Sequence, residues 1–273
     1  MKGASRNALK SVLESFESTI GALPEAAGSR EVSDGLYAVA ALLDREPSLR
    51  RALTDPASSS DSRQGLVTQL FGAQLAAQPL EVLRELVTQR WDSSTDLRTA
   101  VEVLAANAAM RAAEGQGVLD EVEDELFRFA RLLDREPSLR AALTDPGLPV
   151  DRKTALLREL LGTRAQEITQ RLVEIAVTRP QPGSLESALE GLSNLAAQRR
   201  QRYVAQVRVA LPLDPAQQER LSASLARIYG RQVQLQVDVD PSVVGGIEVR
   251  VGDEVIDGTV SRRLQDVRRT FAG

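Results

Sequence analysis

The sequence predicts a mainly helical protein with a small α+β module at its carboxy terminus, and three observations carry that expectation. Apolar residues recur at helical spacing over the first two hundred residues, the spacing then changes to alternation, and one stretch of the helical part occurs twice. Residues 42–56 read LLDREPSLRRALTDP and residues 132–146 read LLDREPSLRAALTDP, differing only at Arg51 and Ala141. The offset of 90 persists outside this block: Val32, Leu36 and Tyr37 fall on Val122, Leu126 and Phe127, and Leu66, Val67 and Leu70 fall on Leu156, Leu157 and Leu160. A period this long exceeds the ~20–50 residues of stacked solenoid repeats, so it marks the duplication of a small domain. The expected organisation is two tandem helical bundles, over 1–110 and 95–200, followed by an α+β domain over 202–273.

The first helix carries Leu9, Val12, Leu13, Phe16 and Ile20 on one stripe, with Lys10, Glu14 and Glu17 turned from its centre. A second runs from about Ser29 to Arg45 and stops before Pro47, which lacks an amide donor and disfavours helical geometry in the residue before it. Pro47-Ser48-Leu49 opens a short helix that Asp55-Pro56 ends, and further helices follow through Leu66, Val67, Leu70 and Phe71 and through Leu83, Leu86 and Val87. An alanine-rich helix from Ser94 to Ala113 lies where both the last helix of copy one and the first helix of copy two belong, and Gly115-Gln116-Gly117 breaks it. The second copy repeats the layout and closes with Leu185, Ala188, Leu189, Leu192, Leu195 and Ala196 on one face.

From residue 202 the period is two: Tyr203, Ala205, Val207, Val209 and Leu211 alternate with more polar neighbours, as do Val233, Leu235, Val237 and Val239. Between these strands Asp214-Pro215-Ala216-Gln217 starts a helix, with Asp at the cap, Pro at the first position and Gln placed to close a capping box; Leu221, Leu225 and Ile228 form its apolar stripe. A strand pair, Ile247/Val249/Val251 and Val255/Ile256, turns at Gly252-Asp253, and a final helix carries Val260, Leu264, Val267 and Phe271. The module reads in β-α-β-β-α order.

Composition narrows function. The chain has no cysteine and no histidine, which removes disulfides, thiolate zinc sites, cysteine nucleophiles and a Ser-His-Asp triad. A net charge of -4 argues against a phosphate-backbone binder. The longest apolar run, Leu36 to Leu43, falls far below the ~20 residues that cross a bilayer, and no signal-peptide h-region is present, so a cytoplasmic location is expected. The acids Asp120, Glu121, Glu123, Asp124 and Glu125 crowd a helix start and read as capping and a solvated face; the arginines at 199, 200 and 202 and at 262, 263, 268 and 269 read as solvated helix ends. Trp91 reads as a packing residue.

The most distinctive pattern is DPSVVGGIEVRVGDEVIDGTVSRRL, Asp240 to Leu264. Each glycine has a backbone use: Gly245-Gly246 a bend, Gly252 a hairpin, and Asp257-Gly258-Thr259 a capped helix entry. Following a helical bundle, this segment resembles the delta subunit of bacterial F-type ATP synthases, relative of the mitochondrial oligomycin-sensitivity-conferring subunit. Gly245, Gly246, Ile247, Gly252, Asp253, Val255, Ile256, Asp257, Gly258, Val260 and Leu264 match that family's signature in order and spacing, with Thr259 where serine is frequent. The arginine- and alanine-rich usage looks actinobacterial.

The resemblance implies a non-catalytic stator part with no cofactor, metal, small-molecule substrate or nucleic acid. It would lie peripherally on the cytoplasmic face of the cell membrane, its bundle gripping the alpha subunits of the catalytic head and its carboxy-terminal module holding a b-type stalk. The first-helix stripe Leu9, Val12, Leu13, Phe16 and Ile20 is then the candidate partner interface, and Gly245, Gly246, Gly252, Asp253, Asp257, Gly258 and Leu264 are structural signature positions. Two features depart from the family: Ser5-Arg6-Asn7-Ala8-Leu9 lacks the usual aromatic residue, and there are two bundle copies where one is usual. A helical adaptor with an RNA-binding α+β tail is the alternative, weakened by the absence of a G-x-x-G clamp or paired aromatics; a carboxylate or metal enzyme would need acids converging in one cleft.

Overall fold

The computed structural model describes residues 1, 3–21, 26–179, 183–201, 204–229, 233–240, 243, 245–251 and 254–257. It divides into two compact units, residues 1–196 and 197–273.

The helices of the chain before the first strand are, in order, α1 (Gly3–Gly21), α2 (Ala26–Arg45), α3 (Pro47–Ala52), α4 (Ser60–Phe71), α5 (Ala77–Thr88), α6 (Ser94–Gly115), α7 (Leu119–Arg135), α8 (Pro137–Thr144), α9 (Val150–Leu161), α10 (Glu167–Thr178) and α11 (Leu185–Gln201). The duplicated punctuation acts identically in both copies: Pro47 and Pro137 each occupy the start of a short helix, where the missing amide costs nothing and the fixed φ suits the first turn. Ser59 caps α4, its Oγ accepting from the Ser62 amide at 3.1 Å, and Ser93 caps α6, accepting from Thr95 at 3.2 Å. After α6 the chain reverses through Gly117 at φ 72°, a left-handed conformation that glycine adopts without a Cβ penalty. The reversal is closed by the Val118 amide on the Ala113 carbonyl and the Gly117 amide on the Glu114 carbonyl.

The amphipathic helices bury one side each. In α2 these are Val32, Leu36, Val39, Ala40 and Leu43, and in α7 their counterparts Val122, Leu126, Phe129, Ala130 and Leu133. Helix α6 is built differently. Leu97, Ala100, Val101, Leu104, Ala105, Ala106, Ala108, Ala109, Met110, Ala112 and Ala113 are all buried, so its apolar residues surround the axis. It packs against α1, α2, α3 and α5 and also against α7 and α10. Small side chains on every face permit this, because alanine lets neighbouring helices approach from several directions. One continuous core consequently runs from Ala8 to Ala196.

The second unit carries β1 (Val204–Val209), α12 (Pro215–Tyr229), β2 (Gln234–Val239), β3 (Ile247–Val251) and β4 (Glu254–Asp257) in a sheet of order β2-β1-β3-β4. β1 and β2 are parallel, joined through α12, while β3 is antiparallel to β1 and to β4. Ala205, Val207, Val209, Leu225, Val233, Val249 and Val251 form the core of this unit, and the alternating Gln206, Arg208 and Arg250 are exposed. The reciprocal cap at α12 is present: the Gln217 amide donates to Asp214 Oδ1 at 2.7 Å and the Asp214 amide to Gln217 Oε1 at 2.9 Å.

Three details differ from the sequence reading. The hairpin of β3 and β4 makes three strands after α12, one more than the β-α-β-β-α order. Leu211 is 76% exposed because β1 ends at Val209, before Pro212. Ile228, in the last turn of α12, is 64% exposed, so the buried stripe of that helix ends at Leu225. The expected final helix over Val260–Phe271 lies outside the described residues.

Candidate partner interface

Helix α1 was the candidate surface, and the structure divides its stripe. Val12 and Phe16 are fully buried in the chain's own core, while Leu9 and Leu13 are partly buried against it. Burying an aromatic or valine side chain stabilises by ~1.5–3 kcal/mol, so these two residues are committed to the bundle. The side chain of Ile20 lies outside those described. Arg6, Asn7, Lys10, Ser11, Glu14 and Ser15 form the outer side of α1. The start of the helix is tied to the loop before α6: the Ser5 amide donates to Asp92 Oδ2 at 3.1 Å and the Asp92 amide to Ser5 Oγ at 2.7 Å. Farther along, Ser15 Oγ donates to Glu85 Oε2 of α5 at 3.2 Å.

Of the carboxy-terminal signature, Gly245 and Gly246 have φ of 65° and 87°, both left-handed, and both are exposed immediately before β3. Their requirement is conformational, since a Cβ at such φ is strained. Asp257 ends β4 opposite Glu248, and the register brings Val251 opposite Glu254. Gly252, Asp253, Gly258 and Leu264 lie outside the described residues.

Of the charged groups expected to cap or face solvent, Glu125, Asp124 and Arg200 do so, whereas Arg199 is only 3% exposed because it continues the face of α11 that buries Leu189, Ser193 and Ala196; the arginines at 202, 262, 263, 268 and 269 lie outside the described residues. Glu125 accepts from the Gln166 amide at 2.9 Å and from Thr169 Oγ1, at the start of α10, where the helix dipole favours an anion. Asp124 pairs with Arg128 on its own helix. Trp91 is buried, its indole N–H donating to the Leu86 carbonyl at 2.9 Å. Among the described residues no group of three or more acids forms a potential metal site, and no helix is long and apolar enough to cross a membrane.

Sequence reasoning missed the polar contacts between the copies. Arg30 of α2 donates to Glu167 of α10 through both terminal nitrogens, one at 2.9 Å, and Arg171 Nε lies 3.5 Å from Asp34 Oδ1. The Arg30 hydrogen bond holds the Glu167 carboxyl below its usual range, and Glu167 in turn raises the guanidinium of Arg30. Below these pairs a cleft of about 360 Å³ is lined by Tyr37, Ala109, Ala112, Ile168 and Leu172 among others. Burial raises the Tyr37 phenol strongly, and the guanidinium of Arg179, itself lowered by burial, lies 5.4 Å from the ring centre. A second network is internal to copy one: Arg98 Nε lies 2.7 Å from Asp44 Oδ1, and Arg98 Nη2 is 2.8 Å from Glu102 Oε1. The one sequence signal for these contacts is the all-round apolar character of α6, which requires helices on both of its sides.

Comparison with known proteins places this architecture. The family model described as ATP synthase delta (OSCP) subunit matches residues 105–271. The chain is 48% identical to the ATP synthase subunit delta of Streptomyces griseus over 274 residues, covering 100% of each. It is 48% identical to that of Streptomyces coelicolor, covering 100% of this chain and 98% of that one, and 43% identical to that of Thermobifida fusca, with 100% of both covered. The match runs over essentially the full length of each of these relatives. With the family model spanning the second copy and the sheet module, the chain belongs to the ATP synthase delta (OSCP) subunit family.

Proposed function

We propose that the chain is a non-catalytic stator subunit of the proton-translocating F-type ATP synthase, joining the alpha subunits of the catalytic head to a b-type peripheral stalk. The observation that carries this reading is full-length identity of 43–48% to proteins named ATP synthase subunit delta. In this reading the chain lies peripherally on the cytoplasmic face of the membrane, the duplicated helical part faces the head, and the sheet module holds the stalk.

The physical design supports a passive clamp. A stator transmits torque without doing chemistry, which asks for rigid elements and slow dissociation. The core of residues 8–196 supplies rigidity through the shared helix α6, and of the acids crowded at the start of α7, Glu125 caps α10 and Asp124 is held in an ion pair. Affinity must then come from a few buried apolar anchors at each contact, since buried area alone does not set it.

Affinity purification of the tagged chain from detergent-solubilised membranes tests the proposal. Co-isolation of alpha and b-type subunits in fixed ratio is expected. Recovery without them, or with RNA in their place, would contradict it.

A further inference from the structure

Helices α2 and α10 face each other across the cleft of about 360 Å³, and the charges at its mouth alternate in sign. In order they are Glu167, Arg30, Asp34, Arg171 and Glu174. Among the described residues two ion pairs cross the cleft: Arg30 Nη1 donates to Glu167 Oε2 at 2.9 Å, and Arg171 Nε lies 3.5 Å from Asp34 Oδ1. Two more run along single helices, with Arg30 Nε 4.0 Å from Asp34 Oδ2 and Arg171 Nη1 3.9 Å from Glu174 Oε2. Each arginine therefore has a second carboxylate on its own helix, and Asp34 has an arginine there, so parting the helices strands none of the three. Glu167, left without Arg30, is well exposed to water. The set is particular to this face. At the offset of 90, Arg30 corresponds to Asp120, Glu167 to Ala77, Arg171 to Glu81 and Glu174 to Arg84, so four of the five charges have no counterpart of the same sign in the other copy.

We propose that this ladder is an ionic clasp between the two copies, which exchanges cross-cleft pairs for same-helix pairs and so lets α10 part from α2 while the rest of the core stays packed. The closed form holds Arg30 to Glu167 and Arg171 to Asp34; the open form holds Arg30 to Asp34 and Arg171 to Glu174. Opening gives up only pairs between side chains that reach water, each worth a few-fold in an equilibrium constant, so the two forms lie close in free energy. The cleft already separates the apolar residues that line it, Tyr37 on α2 from Ile168 and Leu172 on α10, so little packing between these two helices opposes the exchange. Arg179, which follows α10, is half-buried and lies 5.4 Å from the centre of the Tyr37 ring. Salt screens this contact less than the exposed pairs, so the mouth opens about it. The clasp confines compliance to one face of the helical unit and makes it sensitive to ionic strength. It rests on the geometry of α2 and α10 and is independent of the stator reading.

The chain has no cysteine, so Glu31→Cys on the exposed side of α2 and Arg158→Cys on that of α9, which packs against α10, take nitroxide labels at those two sites alone. Double electron–electron resonance on the full chain is expected to give one short distance at ~0.01 M salt and a second, longer one at ~1 M, where the screening length falls to ~3 Å. Glu167→Ala, which places the copy-one residue in the clasp, should raise the long-distance fraction about threefold at intermediate salt. Glu174→Gln, which removes the open form's partner of Arg171, should lower it by a similar factor. Each substitution removes one negative charge, so opposite signs distinguish pair exchange from net charge and from a general loosening of the bundle. Far-UV circular dichroism at the wild-type value reports intact helices in both variants. A single distance that salt leaves unchanged, or the same displacement from both substitutions, would overturn the proposal.

Discussion

Arg98 shows how a single residue of α6 is held and what its loss does. Its side chain is 5% exposed and meets Asp44 of α2 and Glu102 one turn along its own helix. Removing one partner from a buried ion network strands the remaining charges, which costs about 3 kcal/mol where the carboxylates keep some solvent access. Arg98→Ala should lower stability by that amount in urea unfolding, whereas Arg98→Met, which removes the charge but fills the space, should still lose most of it. The pair Arg30 and Glu167 behaves differently because both side chains reach water. A double-mutant cycle should give ~1 kcal/mol or less. Because the folded carboxyl of Glu167 titrates below its unfolded value, the small stabilisation is present above the ordinary carboxylate range and is lost as pH falls through the folded value. A carboxyl-resolved NMR titration should place Glu167 below the usual midpoint, and Arg30→Gln should return it there. Neither network is visible in the sequence, because Asp34 to Arg171 and Asp44 to Arg98 join residues from different helices, and periodicity reports faces rather than the neighbours across them.

Among the elements, α6 and α11 make the most informative comparison. The positions Leu97, Ala100, Val101, Leu104 and Ala108 align with Leu185, Ala188, Leu189, Leu192 and Ala196 at an offset of 88, two residues short of the offset in the identical block. At the aligned pair Ala106 and Asn194, α6 is buried while α11 is exposed. This one difference says why α6 takes helices on both sides and α11 keeps a polar side. Ala106→Asn should destabilise by about 1–3 kcal/mol through an unsatisfied buried amide, and Asn194→Ala should stay within ~0.5 kcal/mol, both read by thermal or chemical unfolding. At the end of α6, Gly117→Ala should cost ~1 kcal/mol for the left-handed backbone. Helix positions were legible because proline, serine and glycine punctuate them and apolar stripes repeat. The fate of particular stripe residues was not: the pattern marks Val12 and Phe16 as apolar without distinguishing a core from a partner surface, and it carried Ile228 and Leu211 past the point where their elements meet anything.

For the molecule as a whole, the 90-residue identity in sequence becomes two helical copies merged through one helix into a single core. Merging explains both the compactness of residues 1–196 and the asymmetry of the copies: side chains of copy two lie beside the buried Tyr37 of copy one, whereas its counterpart Phe127 is exposed. The family was legible from the glycine pattern at 245–258, and the 90-residue register put the Ser94–Ala113 helix in both copies; which helices α6 packs against was not legible, because an alanine-rich helix has no stripe to say which neighbours it takes. The central claim, that this protein couples a rotary synthase mechanically and performs no catalysis, is tested most directly in inverted membrane vesicles from cells depleted of it. Those vesicles should hydrolyse ATP yet fail to make it from an imposed proton gradient, and adding back the purified chain should restore synthesis; synthesis at the normal yield without the chain would contradict the account.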